Sequence, residues 1–143
     1  MDIRRYQASD EAAVVRLWQE CDLVRPWNDP HKDIQRKLSV QAELFLVGLI
    51  DGNLIATVMA GYDGHRGCVN YLAVAKLYRR RGLGRVLMDR IENLLRDLGC
   101  PKLSMQVRST NAVVFAFYER LGYAHDQTVS LGKRLISDEQ AAT

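Results

Sequence analysis

Cysteine and proline are scarce in this sequence, and that scarcity excludes several classes of protein. The 143 residues include three cysteines and three prolines. Cys21, Cys68 and Cys100 are odd in number and widely spaced, and no Cys-x-x-Cys pair or histidine cluster accompanies them. We therefore expect reduced, mostly buried thiols rather than disulfides or a zinc centre, and we predict no metal site.

Long hydrophobic runs are also missing. No apolar stretch approaches the length of about 20 residues that a membrane-spanning helix needs. The segment Met1–Arg5 lacks the apolar core of a signal peptide. These two observations predict no membrane partner and a cytoplasmic location.

The third absence is a large excess of charge of one sign. The formal net charge is +3, which is too small by itself to indicate a nucleic-acid partner. Hydrophobic residues make up 48% and charged residues 26% of the chain, as is typical of a globular protein. The length then predicts one domain over residues 1–143.

Positive charge is concentrated in one short segment, where five basic residues fall between positions 76 and 85. Within it, Arg79-Arg80-Arg81-Gly82-Leu83-Gly84-Arg85 joins an apolar strand pattern to an amphipathic helix pattern. Glycine permits a tight turn, and the first N–H groups of a helix have no intrahelical partner and lie at the positive end of its dipole. The segment predicts a turn that binds a pyrophosphate or a similar polyanion. The alternative is a plain tight turn beside solvated arginines, because the motif matches neither a P-loop nor a complete dinucleotide fingerprint.

The element order can be read from periodicity, caps and turn residues. The predicted strands cover residues 1–6, 44–50, 54–62, 68–75, 102–108, 123–126 and 128–135. The predicted helices cover about 9–21, 30–38, 83–98 and 111–121, and a polar tail from Ser137 is expected to fray. The order is β-α-α-β-β-β-α-β-α-β-β, which predicts a mixed α/β sheet with helices on both faces and parallel pairing within residues 68–121.

Two motifs in this order resemble the GNAT superfamily of acetyl-CoA-dependent N-acetyltransferases. Tyr71-Leu72-Ala73-Val74 followed by Arg79-x-x-Gly82-x-Gly84 resembles the family's central acetyl-CoA motif. Residues 111–123, Asn-Ala-Val-Val-Phe-Ala-Phe-Tyr-Glu-Arg-Leu-Gly-Tyr, resemble its Asn-x-x-Ala-x-x-x-Tyr-x-x-x-Gly-Phe/Tyr signature. The strand order is similar too, so the resemblance spans nearly the whole chain. Segments 25–30, 61–67 and 131–135 resemble one subfamily of small bacterial acetyltransferases.

The resemblance implies that acetyl-CoA is the co-substrate and lies between two parallel strands that splay apart. A bulge in the earlier strand is the expected device for opening them. The backbones of Leu72 and Val74 would pair with the pantetheine arm, and a backbone N–H, that of Val74, would polarise the thioester carbonyl. The implied acetyl-CoA-binding residues are Leu72, Val74, Arg79, Arg80, Arg81, Gly82, Leu83, Gly84, Arg85 and Asn111.

Two residues of the second motif each have two interpretations. The resemblance implies that Tyr118 is the general acid that protonates the departing CoA thiolate. It also belongs to an apolar stripe with Val114, Phe117 and Leu121, which is typical of a core residue. Asn111 is a helix N-cap, a contact to the pantetheine arm, or both.

The acceptor side is less defined by the sequence. Trp27, Asp63 and Gln106 are candidate acceptor-binding residues, and Asp29 either attracts a cation or caps the second helix. Gln106 stands where relatives that acetylate protein N-termini often carry Glu, and an amide cannot accept a proton at neutral pH. Asp63, His65 and Glu43 are candidate replacements for that base. The other hypothesis is a substrate amine of lowered pKa, because α-amines titrate near 8 and lysine near 10.4.

The resulting prediction is an N-acetyltransferase that acts on a primary amine of a small molecule or peptide, by direct attack in a ternary complex. The first alternative is a non-catalytic acyl-CoA-binding sensor, which Gln106 favours. The second is a nucleic-acid-binding module that uses Arg79–Arg81, but the sequence contains no recognised nucleic-acid-binding motif. A homodimer is compatible with the predicted fold and is not determined by the sequence.

Overall fold

The computed structural model describes residues 1–139 as five strands and four α-helices. The strands are β1 Asp2–Arg5, β2 Phe45–Ile50, β3 Asn53–Tyr62, β4 Gly67–Val74 and β5 Leu103–Ser104. The helices are α1 Glu11–Glu20, α2 Pro30–Leu38, α3 Leu83–Asp97 and α4 Ala112–Arg120, and short 3-10 turns cover Ala8–Asp10, Ala42–Leu44 and Lys76–Tyr78.

The strands form one mixed sheet in the order β1-β2-β3-β4-β5. The first four strands pair antiparallel, and β4 pairs parallel with β5. Asp51 and Gly52 join β2 to β3 with φ angles of 51° and 77°, the left-handed pair that a two-residue hairpin requires. The predicted mixed α/β fold with a parallel strand pair is confirmed.

Helices cover both faces of this sheet and create two apolar cores. On one face, α3 contributes Leu87, Met88 and Ile91, none of which is measurably exposed. On the other face, Trp18 of α1 and Ile34 of α2 pack with residues of β2 and β3. Burying a side chain of this size contributes about 1.5–3 kcal/mol, so both faces stabilise the sheet. Coverage on both sides explains why β2 is apolar throughout rather than alternating.

The parallel pair β4–β5 opens after a very short contact. Only Gly67–Leu103 and Cys68–Ser104 are paired, whereas β4 continues to Val74. A register shift opposite Val58 places Tyr71 and Leu72 against that single residue of β3, which is a β-bulge. The predicted bulge and the splayed pair are therefore present. We call the space between the C-terminal half of β4 and the chain after β5 the β4–β5 gap.

Three predictions about the chain after α3 are wrong. The strand predicted at 102–108 is only Leu103–Ser104, and the strands predicted at 123–126 and 128–135 are not formed. Alternating apolar residues suggested these strands, but Val129 and Leu131 are 84% and 91% exposed, and the edge strand β5 is only two residues long.

Side-chain contacts attach this C-terminal segment to the rest of the molecule. Lys102 Nζ lies 2.7 Å from Asp126 Oδ1, and Gln106 Nε2 donates to Ser130 Oγ over 2.6 Å. Arg36 donates to both oxygens of the buried Asp138 over 2.6 and 2.8 Å. The fraying predicted from Ser137 therefore does not extend to Asp138, and residues 140–143 lie outside the described residues.

Two further sequence expectations concern cysteines and membranes. All three cysteines are free thiols, but Cys68 is exposed and the other two are half-buried, so the expectation of mostly buried thiols is wrong. Within residues 1–139, no helix combines the length and the apolarity needed to cross a bilayer.

Candidate functional site

Among residues 1–139, the backbone N–H groups at the N-terminus of α3 have no partner. Gly82 is the N-cap residue with φ 75°, and no side chain caps the helix. The first intrahelical hydrogen bond runs from Val86 N to Gly82 O over 3.2 Å, so the N–H groups of residues 83–85 have no helical acceptor. Arg80 adopts φ 64°, which bends the chain into this turn. The turn can therefore bind an anion through backbone donors and the helix dipole.

The arginines around this turn make different contacts. Arg79 donates from Nε to the carbonyl of Val74 over 2.9 Å, which ties the turn to the end of β4. Arg81 places its guanidinium 5.2 Å from the ring centre of Tyr78. Arg85 donates to the carbonyl of Arg120 at the end of α4 over 3.2 Å. These side chains brace the turn and keep its positive charge at the exposed rim.

Glycine is required at the two positions of the motif for different structural reasons. Gly82 needs its positive φ, and a Cβ there would meet nothing within 4 Å. A Cβ at Gly84 would lie 3.0 Å from Cζ of Phe117. Gly84 therefore allows α3 to pack closely on α4, a reason that the sequence motif alone does not indicate.

Backbone groups of β4 face the β4–β5 gap. Ala75 N donates to Ile55 O over 2.8 Å, and Ala73 pairs with Thr57, so these residues hydrogen-bond toward β3. Hydrogen bonding alternates along a strand, which directs the backbone groups of Leu72 and Val74 away from β3 and into the gap. A 3-10 turn over residues 76–78 separates this strand from residues 79–85, and the hydrogen bond from Arg79 to the Val74 carbonyl holds the α3 turn against the end of β4. The gap and the turn therefore adjoin.

Tyr118 packs beside the same surface. It is 8% exposed and makes edge contacts with Phe117 and Tyr123 at ring-centre distances of 5.1 and 5.7 Å. Burial raises the pKa of the Tyr118 phenol to about 12, which keeps it protonated at neutral pH. Within residues 1–139 its hydroxyl forms no hydrogen bond, and it is not sealed from solvent. The phenol is thus both a core residue and an unused proton donor.

The predicted N-caps are present. Asp29 accepts hydrogen bonds from the backbone of His31 and Lys32 over 2.9 and 3.3 Å. Asn111 accepts one from Val114 N over 3.2 Å. Both side chains satisfy helix N–H groups of α2 and α4, so the capping interpretation holds for each.

The candidate acceptor residues are not all brought together. Trp27 is 42% exposed, with the guanidinium of Arg108 5.1 Å from its ring centre, and Gln106 is exposed beside Ser130. Asp63 instead lies in the β3–β4 turn, at the opposite end of β4 from Val74. Its carboxylate accepts from the backbone of Arg66 and His65 over 2.8 and 2.7 Å, and these hydrogen bonds lower its pKa. A lowered pKa makes Asp63 a weak base.

The sequence did not indicate the role of Tyr71, which lies in the bulge. This residue has φ 51° and stacks on Trp18 at a ring-centre distance of 3.7 Å. Its hydroxyl donates to Asp33 Oδ2 over 2.5 Å and accepts from Asn28 Nδ2 over 2.8 Å, while its carbonyl accepts from Thr57 Oγ1 over 2.9 Å. These contacts hold a bulky residue in a left-handed conformation and connect the bulge to α2 and the α1–α2 loop. No residue pattern in the sequence signals a positive φ at a tyrosine.

A cavity of about 250 Å³ lies elsewhere, at the C-terminal end of α3, where Arg96, Leu103 and Tyr123 contribute to its lining. None of the predicted site residues lines it. It is therefore separate from the turn at Gly82.

Solved structures of acetyltransferases share this fold. Ard1 from Thermoplasma volcanium is 25% identical over 86% of this chain and 82% of its own, with a TM-score of 0.75. A ribosomal-protein alanine N-acetyltransferase from Escherichia coli is 24% identical over 85% of this chain and 76% of its own, with a TM-score of 0.71. An aminoglycoside antibiotic 6'-N-acetyltransferase from Acinetobacter haemolyticus is 18% identical over 95% of this chain and 99% of its own, with a TM-score of 0.74.

The model of the acetyltransferase (GNAT) family matches residues 12–123, which include both motifs, the bulge and the whole α3 turn. The predicted enzyme class, an acyltransferase with acetyl-CoA as co-substrate, is confirmed. The open N-terminus of α3 beside a splayed strand pair agrees with that co-substrate. The chain therefore belongs to the acetyltransferase (GNAT) family.

Proposed function

We propose that residues 1–143 form a single N-acetyltransferase domain that transfers the acetyl group of acetyl-CoA to a primary amine, by direct attack in a ternary complex. The observation that carries this proposal is the adjacency of the β4–β5 gap and the uncapped N-terminus of α3. One end of this surface offers unpaired N–H donors for a pyrophosphate, and the other offers a strand edge for an amide-containing arm.

The proposed binding residues follow from this geometry. The N–H groups at 81–85 would bind the pyrophosphate, with Arg79, Arg80, Arg81 and Arg85 supplying positive charge at the rim. The backbones of Leu72 and Val74 would bind the pantetheine arm, and the N–H of Val74 would polarise the thioester carbonyl. Asn111 already caps α4, and the contact proposed for it with the arm would be additional.

In the proposed reaction, the neutral amine attacks the thioester carbonyl carbon, a C–N bond forms and the C–S bond breaks. Tyr118 donates its phenolic proton to the departing CoA thiolate. The proton that the acylated nitrogen loses then returns the Tyr118 phenolate to the neutral phenol. A phenol of raised pKa remains protonated at neutral pH, which is the state this donation needs.

We also propose that the acceptor is an amine of lowered pKa, because neither Gln106 nor Asp63 supplies a strong base at the gap. Gln106 cannot accept a proton, and Asp63 is held in a distant turn. The rate with an α-amine should level off above about pH 8, whereas the rate with a lysine side chain should keep rising toward about pH 10. A pH-independent rate with a lysine substrate would contradict this proposal.

The acceptor class, a peptide or small-molecule amine, is supported by the similar proteins, since one acts on a ribosomal-protein alanine and another on an aminoglycoside. The segments at 25–30, 61–67 and 131–135 further support a relationship to the bacterial acetyltransferase YpeA. A cytoplasmic location is part of the proposal, and a homodimer is compatible with the fold class without being determined by the sequence.

The test is release of free CoA thiol from acetyl-CoA, with a panel of amines, peptides and polyamines. We expect Tyr118→Phe to lower kcat about 100-fold, because general acid catalysis contributes on that order, and to leave the Kd of acetyl-CoA unchanged. The matched control is Tyr123→Phe, whose hydroxyl donates to Glu92 over 3.2 Å rather than remaining unused. An unchanged kcat in Tyr118→Phe would refute its assignment as the acid. Failure of the wild-type chain to bind acetyl-CoA would refute the proposed function.

A further inference from the structure

The sheet face that carries α1 and α2 has a polar floor beside the bulge. Cys68 and Asn70 of β4 are exposed there. Alternate residues from 103 to 107 pack into the core under α3, which leaves Ser104 and Gln106 on the same face as Cys68. This floor lies where β4 and β5 still touch, next to the point at which the gap begins. An acceptor that reaches the gap from this face would cross it.

Lys37 of α2 is half-buried at the edge of that floor. Its ammonium donates a hydrogen bond to the carbonyl of Ala60. A Cβ built on Gly61 would lie 3.3 Å from Cys68 Sγ, 3.5 Å from Gln41 Oε1 and 3.8 Å from Lys37 Nζ, so the thiol, the amide oxygen and the ammonium all lie around the position above Gly61.

The ammonium of Lys37 has no ion-pair partner among residues 1–139. The ion pairs in that part of the chain are formed by Arg4, His31, Arg36 and Lys102. Glu43 contributes a favourable field without coming within ion-pair distance, and burial lowers the pKa of Lys37. A partly desolvated ammonium with two unused N–H donors is costly, and an anion placed beside it would form strong charge-assisted hydrogen bonds. The arrangement therefore suits a ligand that carries a negative group.

The spacing along β4 restricts what that ligand can be. Four residue steps separate Leu72 from Cys68, and the bulge absorbs one of them. The remaining three steps correspond to about 10 Å at the rise of a strand. An extended tripeptide spans about the same length between its two ends. A free amino acid is too short to join the two positions.

We propose that Lys37 binds a carboxylate on the acceptor, about 10 Å from the reacting nitrogen, so that short peptides with a free C-terminus are the preferred acceptor class. This inference rests on the proposed function, because it assumes that the thioester lies against Leu72 and Val74. It adds the chemical class of the acceptor, which the fold and the family leave undetermined.

The test compares trialanine with trialanine amide, which have the same length and the same α-amine. Turnover is measured as CoA thiol release, and calorimetry measures the binding of N-acetyl-trialanine and its amide to the CoA-bound protein. We expect the free acid to have a KM at least about tenfold lower than the amide, the order expected for a charge-assisted hydrogen bond. Lys37→Met should remove this preference, Lys37→Arg should retain part of it, and the exposed Lys32→Met on the same helix should leave it intact.

Each outcome separates this inference from the proposed function. Turnover with equal KM for acid and amide overturns the carboxylate site and leaves the acetyltransferase activity standing. Carboxylate-dependent binding that Lys37→Met abolishes, without any turnover, supports the site and refutes the activity. If the free acid neither binds nor is turned over, the inference is overturned. The Kd of acetyl-CoA, unchanged in Lys37→Met, shows that the variant is folded.

Discussion

The N-termini of α2 and α4 differ from that of α3, and the difference lies in whether a side chain already occupies the helix end. Asp29 and Asn111 place a side-chain oxygen on the first N–H groups of α2 and α4. Gly82 has no side chain, so the corresponding N–H groups of α3 have no partner in the described part of the chain. All three helices have a positive dipole end, but only one of these ends is free for a ligand. An open helix end is therefore a better indicator of a site than a helix end alone.

The largest expected effect comes from closing the open end. Gly82→Asp would place a carboxylate where a phosphate is proposed to bind, and it would strain a position with φ 75°. We expect the Kd of acetyl-CoA to rise about 100-fold, since both charge repulsion and competition for the N–H groups act in the same direction. Isothermal titration calorimetry measures this change.

The control for that substitution is Gly82→Ala, which introduces the backbone strain without the charge. It should weaken acetyl-CoA binding less than Gly82→Asp. Equal effects of the two variants would show that backbone conformation, rather than occupation of the helix end, explains the loss.

The second glycine of the motif should respond differently. Gly84→Ala brings a methyl group within 3.0 Å of Phe117, and overpacking of this kind destabilises a protein by about 1–3 kcal/mol. Urea unfolding should show this loss of stability. The double variant Gly84→Ala/Phe117→Leu should recover part of the lost stability. Failure of that rescue would contradict the packing explanation.

Removing a cap should have a smaller effect. Asp29→Ala leaves the first N–H groups of α2 without their acceptor and should lower the free energy of unfolding by about 1 kcal/mol. The Kd of acetyl-CoA should not change, because α2 lies on the other face of the sheet. A large change in that Kd would show that the capped and open helix ends are coupled.

The smallest effect concerns the start of α1, where the bidentate hydrogen bonds from Arg4 lower the pKa of Asp10. A lowered folded-state pKa stabilises the protein above the unfolded value of about 3.9, and the contribution disappears as the pH falls through the folded value. The difference in urea midpoint between wild type and Asp10→Asn should therefore be present at pH 7 and shrink below about pH 4. A difference that is constant with pH would contradict the role of the ionised carboxylate.

Much of this molecule follows from local sequence rules. The amphipathic periods of α1 and α3, the Asp51-Gly52 hairpin and the caps Asp29 and Asn111 depend on residues close in the chain. The Arg-x-x-Gly-x-Gly turn is also local, because the glycines and the following helix together create the open N–H groups. Those features were predicted at the correct positions.

Other features depend on contacts between residues far apart in the chain. The strands predicted after α4 are absent, because an alternating pattern needs a paired edge and β5 ends at Ser104. Tyr71 adopts a positive φ because Trp18, Asn28, Asp33 and Thr57 surround it. The packing reason for Gly84 depends on a phenylalanine 33 positions later in the chain.

The sequence by itself determined the family, the helices and the glycine turn at the start of α3, since each of these arises from residues that are neighbours along the chain. Only the tertiary structure decided how the bulge is held and that Lys37 has no ion-pair partner among residues 1–139. Both depend on how α2 packs on the sheet, because the packing of that helix sets which polar groups meet their partners and which remain available to a substrate.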